Sequence, residues 1–292
     1  MISVPQDAAE VLLGVEEGGS TLPKYIPTFY WGNGNPQLKE SHPVLYHGGW
    51  KTDKETFDQI ISGYGKPYPP VLEEFTGISD SNTSYDVYGS RHIFVMPIKY
   101  VKLWGVMDDS DRIKLSKEYT DGSRSDLRWL SLFADKVGDE YIPWGPVILK
   151  ARGLQSQNIV NAVQSWKKYT ASARDILTTQ LREAGKWTDS KPISEKWFWM
   201  PIGTFGKEPN FQRVGSGNKT SLVSPIVTYT GESAMNPKVL ETLYVGEKAL
   251  VEAAHMLDET KEWFDRWDDD AVGVEEKETV ETPPVDGDGI PW

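Results

Sequence analysis

The chain has 292 residues, 38% hydrophobic and 25% charged, which suits one large folded domain or two small ones. It contains no cysteine, which excludes disulfides and thiolate metal sites, and its net charge of −12 argues at first against a nucleic-acid partner, whose phosphates need Lys and Arg. No apolar run approaches the roughly 18 residues needed to cross a bilayer, and Met1-Ile2-Ser3-Val4-Pro5-Gln6-Asp7 lacks the basic and apolar regions of a signal peptide, so a cytoplasmic protein without membrane contact is expected.

In chain order, Gly18-Gly19-Ser20 and Gly32-Asn33-Gly34-Asn35-Pro36 flank Tyr25-Ile26-Pro27-Thr28-Phe29-Tyr30-Trp31, which reads as a short strand between turns. His42 and His47 are close but fit no zinc spacing, so no metal and no cofactor is expected. The density of Val, Ile, Tyr and Phe from Asp86 to Val106, broken by Gly89 and Pro97, predicts strands at about 91–96 and 98–106. Ser125 to Phe133 reads as a short helix, and Ile142 to Arg152 as a strand. From Ser156 to Lys186 the period changes: Ile159, Val163, Trp166, Ala173, Leu177 and Leu181 recur at helical spacing, with Lys167, Lys168, Arg174 and Arg182 off that stripe. Trp197 to Phe205 and Thr220 to Tyr229 are strand-like. A last helix is capped by Asn236 with Pro237 at its first position and is interrupted by Gly246. These elements predict a β-rich α+β fold. An OB-like barrel over about 86–230 carries inserted and C-terminal helices, the last at about 237–267, and a disordered acidic tail follows over 268–292.

Single-stranded nucleic acid exposes flat bases and a charged backbone, so its binders set aromatic side chains beside Lys or Arg on a sheet. In Lys99-Tyr100-Val101-Lys102-Leu103-Trp104 a period of two puts Tyr100, Lys102 and Trp104 on one side and Val101 with Leu103 on the other. The same alternation separates Trp197 and Trp199 from Phe198, Met200 and Ile202, and the adjoining loop adds Lys207, Phe211, Arg213 and Lys219. Lys150 and Arg152 face one way along their strand, and Tyr64-Gly65-Lys66-Pro67-Tyr68 is a loop of similar composition, contributing Tyr64, Lys66 and Tyr68. Twelve tryptophans are enough to spare some for stacking, although a Trp in a strand is more often core, as expected of Trp144 and Trp166.

The net charge conceals a segregation. Residues 268–292 hold nine acidic residues and one lysine, a local −8 that leaves only −4 for residues 1–267, while residues 141–230 have twelve Lys and Arg against five Asp and Glu. A basic middle beside an acidic end fits a nucleic-acid surface with an appended tail. Like-charge repulsion, few large apolar residues and Pro283-Pro284 leave the tail too little burial to offset its ordering entropy. Its tip is nevertheless apolar: Asp288-Gly289-Ile290-Pro291-Trp292 can fill a hydrophobic pocket while acidic groups meet basic residues at the rim. This tip resembles that of the bacterial and phage single-stranded DNA-binding proteins, whose acidic tails end in Asp-Asp-Ile-Pro-Phe; here Gly289 replaces an acid and Trp292 the Phe. The resemblance covers under a tenth of the chain. It implies that residues 1–267 coat single-stranded DNA, with or without homo-oligomer formation. It also implies that Asp288, Ile290, Pro291 and Trp292 recruit replication, recombination or repair proteins.

Two other classes remain open. A nucleic-acid-processing enzyme would need a catalytic motif; there is no P-loop and no Gly-x-Ser-x-Gly, and Asp108-Asp109-Ser110-Asp111 beside Arg112 reads as a solvated turn. A phage structural or accessory protein could use the same tail for assembly.

Overall fold

In the computed structural model, which describes residues 26–64, 69, 71–78, 84–107, 113–215, 221–231, 235–261 and 264, the chain enters a large sheet at β1 (Thr28–Asn33). It passes through helix α1 (Pro43–His47), β2 (Gly48–Asp53), helix α2 (Lys54–Tyr64), β3 (Glu73–Ile78) and β4 (Ser84–Ser90). The centre is built by β5 (His92–Met107), β6 (Ile113–Ser116), β7 (Arg124–Val137) and β8 (Glu140–Arg152). Helix α3 (Leu154–Glu183) follows, then β9 (Met200–Gly203), β10 (Gln212–Val214), β11 (Ser221–Val223), β12 (Val227–Thr228), α4 (Pro237–Thr242) and α5 (Glu247–Glu259). The acidic tail 268–292 and the Asp108–Asp111 cluster lie outside the described residues.

The main sheet runs β12-β9-β5-β7-β8-β1-β2-β4-β3, with β6 on β5, while β10 and β11 form a separate ribbon. The β1–β8 pairing is parallel and the others are antiparallel, so the fold is a β-rich α+β fold around a mixed sheet. The barrel closure expected of an OB-like core is not among the described ladders. Instead β2 and β9 are linked through side chains: the Trp50 indole donates to the Ile202 carbonyl at 3.1 Å and the Thr204 hydroxyl to the Gly48 carbonyl at 2.9 Å. Nor is the sheet confined to 86–230, because β1 to β4 supply four of its strands.

The long central strands differ from expectation in two places. The stretch 125–133, read as a helix, is part of β7. Its residues from Asp126 to Asp135 are buried on both faces, so beyond the first four, Asp126 to Trp129, no regular polar alternation marks it as a strand. The two strands expected on either side of Pro97 are one, β5. Its register against β7 shifts between Pro97 and Lys99, a bulge that accommodates a residue with no N–H to donate.

Helix α3 follows its apolar stripe: Ile159, Trp166, Ala173, Leu177 and Leu181 are buried, and Lys167, Lys168 and Arg182 are exposed. Arg174 departs from the expected polar face. It is buried, and its guanidinium donates to the Ile193 carbonyl at 3.0 Å and the Thr170 hydroxyl at 3.1 Å, pinning the chain that leaves the helix. The last helix is two. Asn236 caps α4 by accepting from the Lys238 N–H, but Gly246 takes φ +84° and restarts the chain as α5. A single core joins both layers, from Phe29, Trp50 and Phe133 in the sheet to Trp166 and Leu250 in the helices.

Candidate nucleic-acid interface

In an antiparallel ladder, residues directly opposite each other share a face. The β5–β7 register sets Tyr100 against Trp129, Lys102 against Leu127 and Trp104 against Ser125, so these side chains line one face of the sheet. Val101 and Leu103 point to the other face and are buried. Tyr100 is 53% exposed with its ring 5.0 Å from that of Trp129. Lys102 is exposed, its ammonium 4.5 Å above the Trp104 ring, and half-buried Trp104 meets Tyr119 edge-on at 4.9 Å. Tyr119, 61% exposed, arrives from the loop after β6. The result is an aromatic row of exposed Tyr100, half-buried Trp104 and exposed Tyr119, with a cation over one ring and buried Trp129 beside Tyr100. Neither Tyr119 nor Trp129 stood out in the sequence.

The two cations of β8 lie elsewhere. Through the β7–β8 register Lys150 opposes Arg128 and Arg152 opposes Asp126, on the face shared with Val101 and Leu103 and opposite the aromatic row. There Asp126 accepts from Arg152 at 2.7 Å and Arg128 at 3.2 Å, and the Lys150 ammonium sits 5.4 Å over the Tyr30 ring. Burial alone would raise the Asp126 carboxyl, but Lys150, Arg128 and Arg152 together outweigh it and hold the group below its ordinary value. Lys150 is thus a buried member of an ion cluster, while Arg152 stays partly exposed at its edge.

Trp197 and Trp199 are core rather than an outer face, at 3% and 0% exposure. The strand there is only Met200–Gly203. Trp197 belongs to a 3-10 turn and packs edge-on against Trp187 at 5.3 Å, so the alternation read from the sequence does not extend back to it. Lys207 is exposed in the loop before the ribbon, Phe211 is half-buried, and Arg213 is exposed on β10 opposite Leu222. Tyr64 ends α2; Lys66, Tyr68, Lys219, Asp288, Ile290, Pro291 and Trp292 lie outside the described residues.

The aromatic row and the ribbon are anchored on the first turn of α3. Gly153, at φ +55° with open space where a Cβ would project, turns β8 into that helix. Its N–H donates to the Ser125 carbonyl at 2.7 Å, and the Ser156 hydroxyl bonds that of Ser125, which sits opposite Trp104. One residue earlier, the Gln155 amide donates to the Asn33 side chain and to the Ser224 carbonyl, each at 2.9 Å, and Ser224 lies just past β11. The helix start therefore ties the β7 end of the row to the exit of the ribbon.

At the other end of β5, burial and then Arg91 hold both His47 and His92 below the ordinary histidine value, with Lys136 adding to the effect at His92 and Glu208 opposing it at His47. His42 accepts from the Val44 N–H at Nδ1, donates from Nε2 to the Glu73 carboxylate at 2.8 Å and stacks on Phe75, which gives it a structural role. No cluster of three or more metal-binding side chains occurs among the described residues, and none of their helices is long and apolar enough to cross a membrane. Comparison with protein-family models, with curated proteins and with solved structures finds no match to this chain.

Proposed function

We propose that the protein binds single-stranded DNA across the aromatic row of β5 and recruits replication, recombination or repair proteins through the Ile290-Pro291-Trp292 tip. The observation that carries this reading is the shared face of exposed Tyr100 and Lys102 and half-buried Trp104, extended by exposed Tyr119. Flat side chains with a cation among them stack on bases of any sequence, each stacked base contributing roughly 1–3 kcal/mol. Arg213, on the ribbon that the α3 start ties to β7, and Lys207, in the loop before it, add backbone charge contacts. An OB-like curl belongs to the same proposal, supported by the Trp50 and Thr204 side-chain links between β2 and β9. The tail contributes through its resemblance to single-stranded DNA-binding proteins. Two aromatics of that face, Tyr100 and Trp104, are the direct test. Titration with oligo-dT should quench tryptophan fluorescence, less so as salt rises. Tyr100→Ala with Trp104→Ala should weaken that binding by about 1–3 kcal/mol per ring, more than it lowers stability. Absence of quenching at low salt, or equal losses of binding and stability, would refute the reading.

A further inference from the structure

Trp129 combines three features that stacking alone does not use. Its side chain is nine-tenths buried, its indole N–H has no hydrogen-bond partner, and it lies directly across the ladder from the most exposed strand residue of the row, Tyr100. A buried donor without an acceptor is costly, and native structures retain few of them without cause. Two residues along β7, and therefore on the same face, the Ser131 hydroxyl is also buried and unpartnered. Trp166 and Trp199 carry unpartnered indoles too, but both sit in the core with no exposed ring above them. Of these three indoles, that of Trp129 belongs to a ring packed against an exposed aromatic, Tyr100, whose centroid lies 5.0 Å away.

Resting on the single-strand reading above, we propose that Tyr100 and Trp129 form a base-reading step in which a nucleobase stacks on Tyr100 and the Trp129 indole N–H donates to a carbonyl oxygen of that base. The contact requires the Tyr100 ring to leave its 5.0 Å packing on Trp129 and the base to take that place. Adenine accepts only at its ring nitrogens, which lie closer to the ring than an exocyclic oxygen does, so a donor placed to reach a carbonyl oxygen favours thymine, cytosine and guanine over adenine. A surface that stacks every base thereby acquires a preference at one position.

The test uses the full chain and labelled oligo-dT and oligo-dA of equal length, read by fluorescence anisotropy. The wild type should bind oligo-dT more tightly than oligo-dA. Trp129→Phe, which keeps a ring and deletes the donor, should weaken oligo-dT about fivefold, leave oligo-dA unchanged and so abolish the preference. Its melting temperature should be unchanged or higher, since an unpaired buried N–H has been removed. Tyr100→Ala should weaken both oligomers. An unaltered ratio between the two oligomers in Trp129→Phe overturns the inference, because the indole then meets only water or nothing. Equal loss on both oligomers accompanied by a lower melting temperature also overturns it, because Trp129 is then core. If the wild type binds neither oligomer, it is the single-strand reading itself that fails.

Discussion

Asp126 is the residue on which the charge of the sheet's second face turns. Its carboxylate lies among Arg128, Arg152 and Lys150 in a buried setting, where removing one partner strands the others. Asp126→Asn should therefore destabilise the protein by about 3–5 kcal/mol. The folded group titrates below its unfolded value of roughly 3.9, so its contribution is fully present above that pH and is lost as pH falls through the folded value. Urea unfolding followed from neutral pH into the acid range should show the wild type losing stability where the Asn variant does not. Parallel acid limbs would mean that the cluster is not what the carboxylate stabilises. The same residues show how far single positions could be read in advance. Alternation placed Tyr100, Lys102 and Trp104 together because Val101 and Leu103 between them are apolar. It could not place Lys150, since a buried lysine held by Asp126 and Tyr30 looks in the sequence like any solvated one. Trp129 was hidden in Asp126-Leu127-Arg128-Trp129-Leu130, where charged Asp126 and Arg128 alternate with Leu127 and Trp129 but both faces are buried, so the alternation does not mark an outer face.

Between residues and the whole lie elements whose boundaries depend on backbone geometry more than on pattern. Helix α3 was legible almost end to end, since thirty residues repeat one apolar stripe and only Arg174 breaks rank by finding buried acceptors. β2, β3, β4 and the short helices around them were not. The strands are brief, carry four glycines and several Ser, Thr, Asp and Glu, and are made into strands by their neighbours in the sheet rather than by their own composition. Gly246 separates the two ways of reading the last helical region. In one continuous helix, Gly246→Ala would stabilise by about 1 kcal/mol, the propensity difference between the two residues. At φ +84°, between α4 and α5, the same change should instead destabilise by roughly 1–2 kcal/mol through backbone strain, with no clash because nothing lies within 4 Å of the added Cβ. Thermal unfolding of the variant gives the sign, and a raised melting temperature would join the two helices into one.

Across the molecule, charge is divided: an acidic end of −8, and a body of −4 whose middle is basic. A single-strand coat with a recruiting tail requires those two parts to be separable, and the tip offers a way to separate them. Ile290, Pro291 and Trp292 carry no charged side chain, so deleting them leaves the −8 of the tail in place. The electrostatic part of DNA binding, set by how many phosphates the body neutralises, should then be unchanged, and with it the slope of affinity against salt. On the proposed reading, what the deletion removes is the apolar anchor that would concentrate binding energy in one pocket of a partner. Affinity for oligo-dT measured across a salt series should therefore superimpose for the full and shortened chains. Proteins that co-purify with the full chain on single-stranded DNA should be lost from the shortened one. A changed salt slope or a lowered affinity would assign the tip to the DNA surface or to the fold. Retention of the same co-purifying proteins would move recruitment to the folded body.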